Sequence, residues 1–131
     1  MAIISAQTGK ELGAFSEGLA ELYLTKRNYE ILHRNFSKPW GEIDIIARQG
    51  DVLVFVEVKS NARHGHASFS PEVRADHIKL RKVIKSAMLY LEFELKNLEC
   101  EWRVDIIAVT IDYSREKARI SHFKNIGEAI Q

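Results

Sequence analysis

Three acids and a lysine sit where apolar residues would be expected. The segments GEIDIIAR (41–48) and DVLVFVEVKS (51–60) are largely apolar, yet they carry Glu42, Asp44, Glu57 and Lys59. Val52 to Val56 is an unbroken apolar stretch, the pattern of a strand buried on both faces. Glu57 and Lys59 are two residues apart and so share one face of that strand. Between the segments, Gly50-Asp51 reads as a two-residue turn of the Gly-X kind, which favours a type II′ hairpin. That turn fixes the register: Gln49 faces Val52, Ile46 faces Phe55, Asp44 faces Glu57, and Glu42 faces Lys59. Directly opposed Cβ atoms lie about 4.5–5.5 Å apart, so the Asp44 and Glu57 carboxylates would repel each other in an apolar setting. A divalent cation held by oxygen ligands would remove that repulsion. A slip of one residue would send the two acids to opposite faces. Alternatively, Glu57 and Lys59 fray into solvent at a strand end while Asp44 pairs with an arginine.

Other residues bear on the same chemistry. At 100° per residue, Gly13, Glu17, Ala20 and Leu24 form one row of a helix, small or apolar except for the glutamate. Glu17 is either a third acid aimed at the Asp44–Glu57 pair or an ordinary glutamate on an amphipathic boundary. Beyond Lys59, the stretch NARHGHASF places Arg63, His64 and His66 where they would meet phosphates. His64-Gly65-His66 also raises zinc, but no cysteine pair or third spaced histidine accompanies it. A basic series follows at Arg74, Lys79, Arg81, Lys82 and Lys85. A solvated helix face accounts for most of it, with Lys79 and Lys82 the candidates for nucleic-acid contact. Arg103 and Asp105 read as a structural ion pair, Tyr29, Phe36 and Trp40 as core or rim, and Cys100 as inert.

The elements that must position these residues follow from periodicity. Thr8-Gly9-Lys10-Glu11 has the form of a capping box, with Leu12, Phe15, Leu19 and Leu22 as the core stripe of a helix ending near Asn28. Strands are expected at 29–36, 41–48 and 52–60, then a polar loop at 61–71. A long helix is expected from Glu72 to Leu95, with Leu80, Ile84, Ala87 and Leu91 on one seam. Strands at 102–111 and 118–123 complete an α-β-β-β-α-β-β order, an α/β sandwich around a mixed sheet.

Composition sets the outer limits. The 131 residues suit one domain spanning 1–131, with 46% hydrophobic and 28% charged residues, an ordinary balance for a globular protein. A net charge of +1 excludes a protein that coats nucleic acid through a global field, so any basic surface is local. The single Cys100 allows no internal disulfide, which suits a reducing compartment. No apolar run is long enough to span a membrane, and the N-terminal stretch lacks a signal-peptide pattern, so the expected location is the cytoplasm with no membrane partner.

An acid followed about a dozen residues later by Glu-X-Lys on the next strand, here Asp44 and then Glu57-Val58-Lys59, resembles the PD-(D/E)XK motif of the restriction-endonuclease-like nucleases. The motif's proline is absent, since Ile43 precedes Asp44. More of the chain is similar to the YraN-like family of uncharacterised bacterial proteins, which are themselves similar to Holliday-junction resolvases. The likeness lies in GAFSEGLAELYL (13–24), GEIDIIARQGDVLVFVEVK (41–59), Lys79 with Tyr90-Leu91, and RVDIIAV (103–109). Where that family's pattern has Gly-Glu in the first helix and Phe-Gly after the EVK loop, this chain has Ser16 before Glu17 and Ser70 after Phe69.

The resemblance implies a restriction-endonuclease-like fold and hydrolysis of phosphodiester bonds in branched or otherwise structured DNA. It implies Mg²⁺ or Mn²⁺ held by Asp44 and Glu57, with the Val58 carbonyl as a further ligand and Glu17 direct or through water. Lys59 would orient the attacking water or stabilise the pentavalent state, and Glu42 would balance Lys59. Resolvase analogy adds a homodimer. The competing expectation is a nucleic-acid-binding or adaptor module that keeps the fold without turnover.

Overall fold

The turn at Gly50-Asp51 organises the centre of the sheet. Gly50 takes the positive φ, 59°, while Asp51 does not, as the first corner of a type II′ turn requires. The computed structural model describes residues 9–63, 77–96 and 99–126. Its elements are α1 (Gly9–Lys26), β1 (Glu30–Lys38), β2 (Gly41–Gln49), β3 (Val52–Arg63), α2 (His77–Leu89), β4 (Trp102–Asp112) and β5 (Lys117–Phe123), with a π-helical turn over Tyr90–Leu95. The strands form one mixed sheet in the order β1-β2-β3-β4-β5. Neighbours are antiparallel except β3 and β4, which run parallel. Among the described residues, no helix is long and apolar enough to cross a membrane.

The β2–β3 register is the one that the turn dictates: Gln49 pairs with Val52, Ile46 with Phe55 and Ile45 with Val56. Alternation then sends the two sides of these strands into two cores. Ile45, Ala47, Val54 and Val56 pack beneath α1, while Ile46, Leu53 and Phe55 pack beneath α2 with Val83, Ala87 and Leu91. Two helical layers therefore enclose the sheet.

At its end α1 closes through a Schellman motif. Asn28 is left-handed at φ 67°, its N–H bonds the Thr25 carbonyl at 3.1 Å, and the Tyr29 N–H bonds the Leu24 carbonyl at 3.1 Å. Leu24 and Tyr29 are buried in one cluster, the apolar contact that accompanies this cap. The expected capping residue Thr8 lies outside the described residues.

Three expectations need correcting. Leu22 is 52% exposed rather than in the core. The buried arc of α1 runs through Ser16, Ala20 and Leu24, because small residues at 16 and 20 let the backbone approach the sheet. Leu22 falls outside that arc. The second helix is also not uniform up to Leu95. It passes into the π turn after Leu89 and ends at Lys96, left-handed at φ 57°, whose N–H bonds the Leu91 carbonyl. Its expected first turn, 72–76, lies outside the described residues, and β3 extends to Arg63, into the stretch expected as loop.

A polar network ties β4 and β5 to α1. Asp105 is fully buried, yet it accepts from Arg103 Nε at 3.0 Å, from the Asn125 N–H at 2.9 Å and meets His122 Nε2 at 2.7 Å. His122 Nδ1 meets the Tyr23 hydroxyl of α1 at 3.1 Å. Burial pushes the Asp105 carboxyl up, but His122, the Asn125 N–H and Arg103 outweigh it, and its pKa falls below the ordinary value. The expected Arg103–Asp105 ion pair is therefore structural.

Candidate functional site: an acid pair in a lysine-walled cleft

The β2–β3 ladder stops at Ile45–Val56, one rung before Asp44 and Glu57. There the Asp44 side chain takes over from the backbone: its Oδ2 accepts the Val58 N–H at 2.8 Å. Glu57 is only 5% exposed. The Glu57 carboxyl lies close enough to act on the Asp44 proton. Burial, and then the hydrogen bond and charge of Glu57, push the Asp44 pKa up to about 8, against the lowering effect of the Val58 N–H.

Two ammonium groups face this pair. Lys79 Nζ of α2 lies 3.0 Å from Glu57 Oε2, and Lys59 Nζ lies 3.8 Å from the same oxygen. Despite those charges, Glu57 Oε2 makes no aligned hydrogen bond among the described residues. Burial disfavours the Lys79 ammonium, but the Glu57 carboxylate outweighs it and raises the Lys79 pKa. The ion pairs thus stabilise Glu57 by charge while leaving its oxygen geometrically unsatisfied.

A cleft of about 580 Å³ opens over the pair, between the start of β2 and α2. Glu17 lines it from the α1 side, half-buried. Burial raises the Glu17 pKa, a hydrogen bond with Asn35 and the charge of Arg34 oppose that, and Glu57 adds to the rise. Glu17 therefore feels the pair electrostatically while its own partner is Asn35. Among the described residues, no three acidic, histidine or cysteine side chains are gathered tightly enough to hold an ion.

The remaining candidates divide by location. Glu42 is exposed at the cleft mouth, and the rung expected to pair it with Lys59 lies beyond the end of the ladder. Lys79 and Lys82 both line the cleft. Arg63 ends β3, but its side chain, His64 and His66 lie outside the described residues, and with them the zinc alternative. Lys85, expected on a solvated helix face, and Trp40, expected as core or rim, also line the cleft, with Ser86, which the sequence did not single out. A signal existed for Lys85: with Lys79 and Lys82 it repeats every three residues, as one side of a helix does. For Trp40 there was none.

A helix, three strands, a helix and two strands around a five-stranded mixed sheet match restriction-endonuclease-like topology. The model of the uncharacterised protein family UPF0102 matches residues 16–109, and the chain belongs to that family. A UPF0102 protein of Fervidobacterium nodosum is 39% identical over 124 residues, covering 94% of this chain and 86% of the relative. One of Chlorobium chlorochromatii is 42% identical over 113 residues, covering 86% and 84%. One of Wolinella succinogenes reaches 48% over 80 residues, covering 61% and 69%.

Proposed function

We propose that this chain is a metal-dependent endonuclease that hydrolyses phosphodiester bonds in structured or branched DNA. The observation that carries this reading is the facing Asp44–Glu57 pair at the floor of an open cleft, flanked by Lys59 and Lys79. Such a pair costs stability in a fold and is useful beside a phosphate.

The donor set suits a hard cation. It is all oxygen, the cleft above it is open to water, and Glu57 Oε2 is buried with no aligned donor among the described residues. Asp44 and Glu57 would hold Mg²⁺ or Mn²⁺, with Glu17 reaching it through water. Such an ion, when bound, lowers the pKa of a water and neutralises charge on the phosphate. Asp44 would hold the cation as a carboxylate, and so would release its proton near neutral pH on binding. Lys59 keeps a positive charge beside Glu57, where the reacting phosphoryl group gains negative charge. The test is cleavage of branched, flapped and single-stranded substrates with Mg²⁺ and Mn²⁺, beside Asp44→Asn. Metal-dependent products with wild type and none with the variant are expected; no product on any substrate with either metal refutes the assignment.

A second reading, a nucleic-acid-binding or adaptor module without turnover, draws on Lys79. Its ammonium 3.0 Å from Glu57 neutralises that acid with no added ion. In that case Lys59→Ala would weaken nucleic-acid affinity modestly and lower the salt slope by about one.

A further inference from the structure

Trp40 is the largest side chain in the cleft wall, and phosphodiester chemistry gives it no task. It occupies the turn between β1 and β2, half-buried, with its ring 5.9 Å from Phe36 and 6.2 Å from Phe93 between centroids. Its position is rigidly set. The neighbouring Gly41 approaches α2 so closely that a Cβ there would fall 2.1 Å from the Ser86 hydroxyl. Trp40 is therefore anchored beside Ser86, two turns of α2 beyond Lys79 and about 10 Å along the helix axis.

Between these two points the helix presents Lys82 and Lys85, both exposed and both lining the cleft. Past Trp40 the aromatic surface continues onto Phe93, 51% exposed on the π turn. Going outward from the acids, the wall is thus cationic and then aromatic. A basic track ending on exposed rings is how proteins hold unpaired strands, since the phosphates follow the charges and a base face meets the ring. In a duplex, base faces are covered by their neighbours and an indole in a cleft wall has nothing to stack on. With a net charge of +1, the chain has no broad basic field to substitute for such local contacts.

We infer that this cleft takes an unpaired nucleotide segment, its backbone along Lys82 and Lys85 and one base stacked on Trp40. Calling the acid pair the point of cleavage rests on the nuclease reading; the stacking does not. At about 3.4 Å per stacked nucleotide, the base on Trp40 lies at most about three nucleotides from the phosphate at Asp44 and Glu57.

The experiment is done without metal, in EDTA, so that binding is read apart from cleavage. In a Trp102→Phe background, Trp40 is the single remaining tryptophan, and its fluorescence is followed on titration with oligothymidylate, oligouridylate and a blunt duplex of equal length. Both single strands should quench it, with any preference between them identifying DNA or RNA. With dye-labelled strands and duplex followed by fluorescence anisotropy, Trp40→Ala should weaken single-strand binding about 5- to 100-fold and leave duplex binding unchanged. Trp40→Phe, which keeps a ring and the fold, should retain most of the affinity. Equal losses on single strand and duplex, or no loss on either, overturn the stacking platform. A wild type that quenches on single strands but cleaves nothing with Mn²⁺ refutes the nuclease and keeps the platform. One that cleaves junctions while its indole ignores unpaired strands does the reverse.

Discussion

Replacing Asp44 by asparagine should stabilise the metal-free protein, and by an amount that depends on pH. The Asp44 carboxyl titrates near 8 in the fold against 3.8 when unperturbed. Between those values the native state holds a proton that the unfolded chain has lost. Wild-type stability therefore falls as pH rises from about 4 to about 8 and levels off above. A shift of about four units at about 1.4 kcal/mol each gives an upper limit of roughly 6 kcal/mol. Cleft water relaxes the charge, so roughly 2–3 kcal/mol is the working figure. Asparagine cannot ionise, its amide oxygen still accepts the Val58 N–H, and its NH₂ can donate to Glu57. At about 4 °C per kcal/mol, Asp44→Asn should melt roughly 8–12 °C above wild type at pH 8.5 and within a degree or two of it at pH 4.5. Calorimetric or circular-dichroism melts across pH 4.5–9 in EDTA read this directly. Added Mn²⁺ should then raise the wild-type melting temperature at pH 8 and leave the variant unmoved. A difference that does not grow with pH, or a variant less stable than wild type at pH 8.5, would refute the reasoning that the two acids repel.

Lys59→Ala should cut single-turnover cleavage by orders of magnitude while affinity, measured without metal, changes little, because its charge matters most in the transition state. Gly41→Ala should cost about 1–3 kcal/mol by denaturant melt, since the new methyl meets Ser86, and Ser86→Gly in the same chain should restore most of it. Ser16 is fully buried and its hydroxyl has no partner among the described residues, so Ser16→Ala should stabilise by about 1 kcal/mol in a denaturant melt, and a loss of stability would refute this. Asp105→Asn should cost about 3 kcal/mol or more at neutral pH, as a buried, multiply bonded charge is removed from Arg103. Because the Asp105 pKa is lowered in the fold, its contribution is present above about pH 4 and fades as pH falls through its folded value, so wild type and variant should converge in acid.

The acid pair was legible because a two-residue turn leaves no freedom. Once Gly50-Asp51 is the turn, every partner across the hairpin follows by counting, and the count holds through Ile45–Val56. It could not reveal that the ladder would stop there and that Asp44 would bond the Val58 backbone instead. Helical residues were harder. Leu22 fits an apolar stripe, yet the arc that faces the sheet is chosen by small residues at 16 and 20, and close approach outweighed hydrophobicity. Lys82 and Lys85 look like any solvated helix face until Gly41 seats Ser86 and fixes which side of α2 borders the cleft. Trp40 lies in a two-residue turn, where no periodicity assigns a side chain to core or surface.

The parallel pairing of β3 with β4 bears on how the chain reaches this state. Each rung, from Leu53–Trp102 to Arg63–Asp112, joins residues 49 apart, whereas β1, β2 and β3 pair through short turns. Loop closure makes the distant pairing the slow event, so the β1–β2–β3 meander should form first and wait with one side of β3 unpaired. That open edge carries VLVFV, a segment prone to add onto another copy of itself. Refolding yield should accordingly drop as protein concentration rises. Asp51 stands at one end of the segment and Glu57 with Lys59 at the other, the placement of gatekeeper charges. The charges that strain the finished fold would then protect the unfinished one from aggregation.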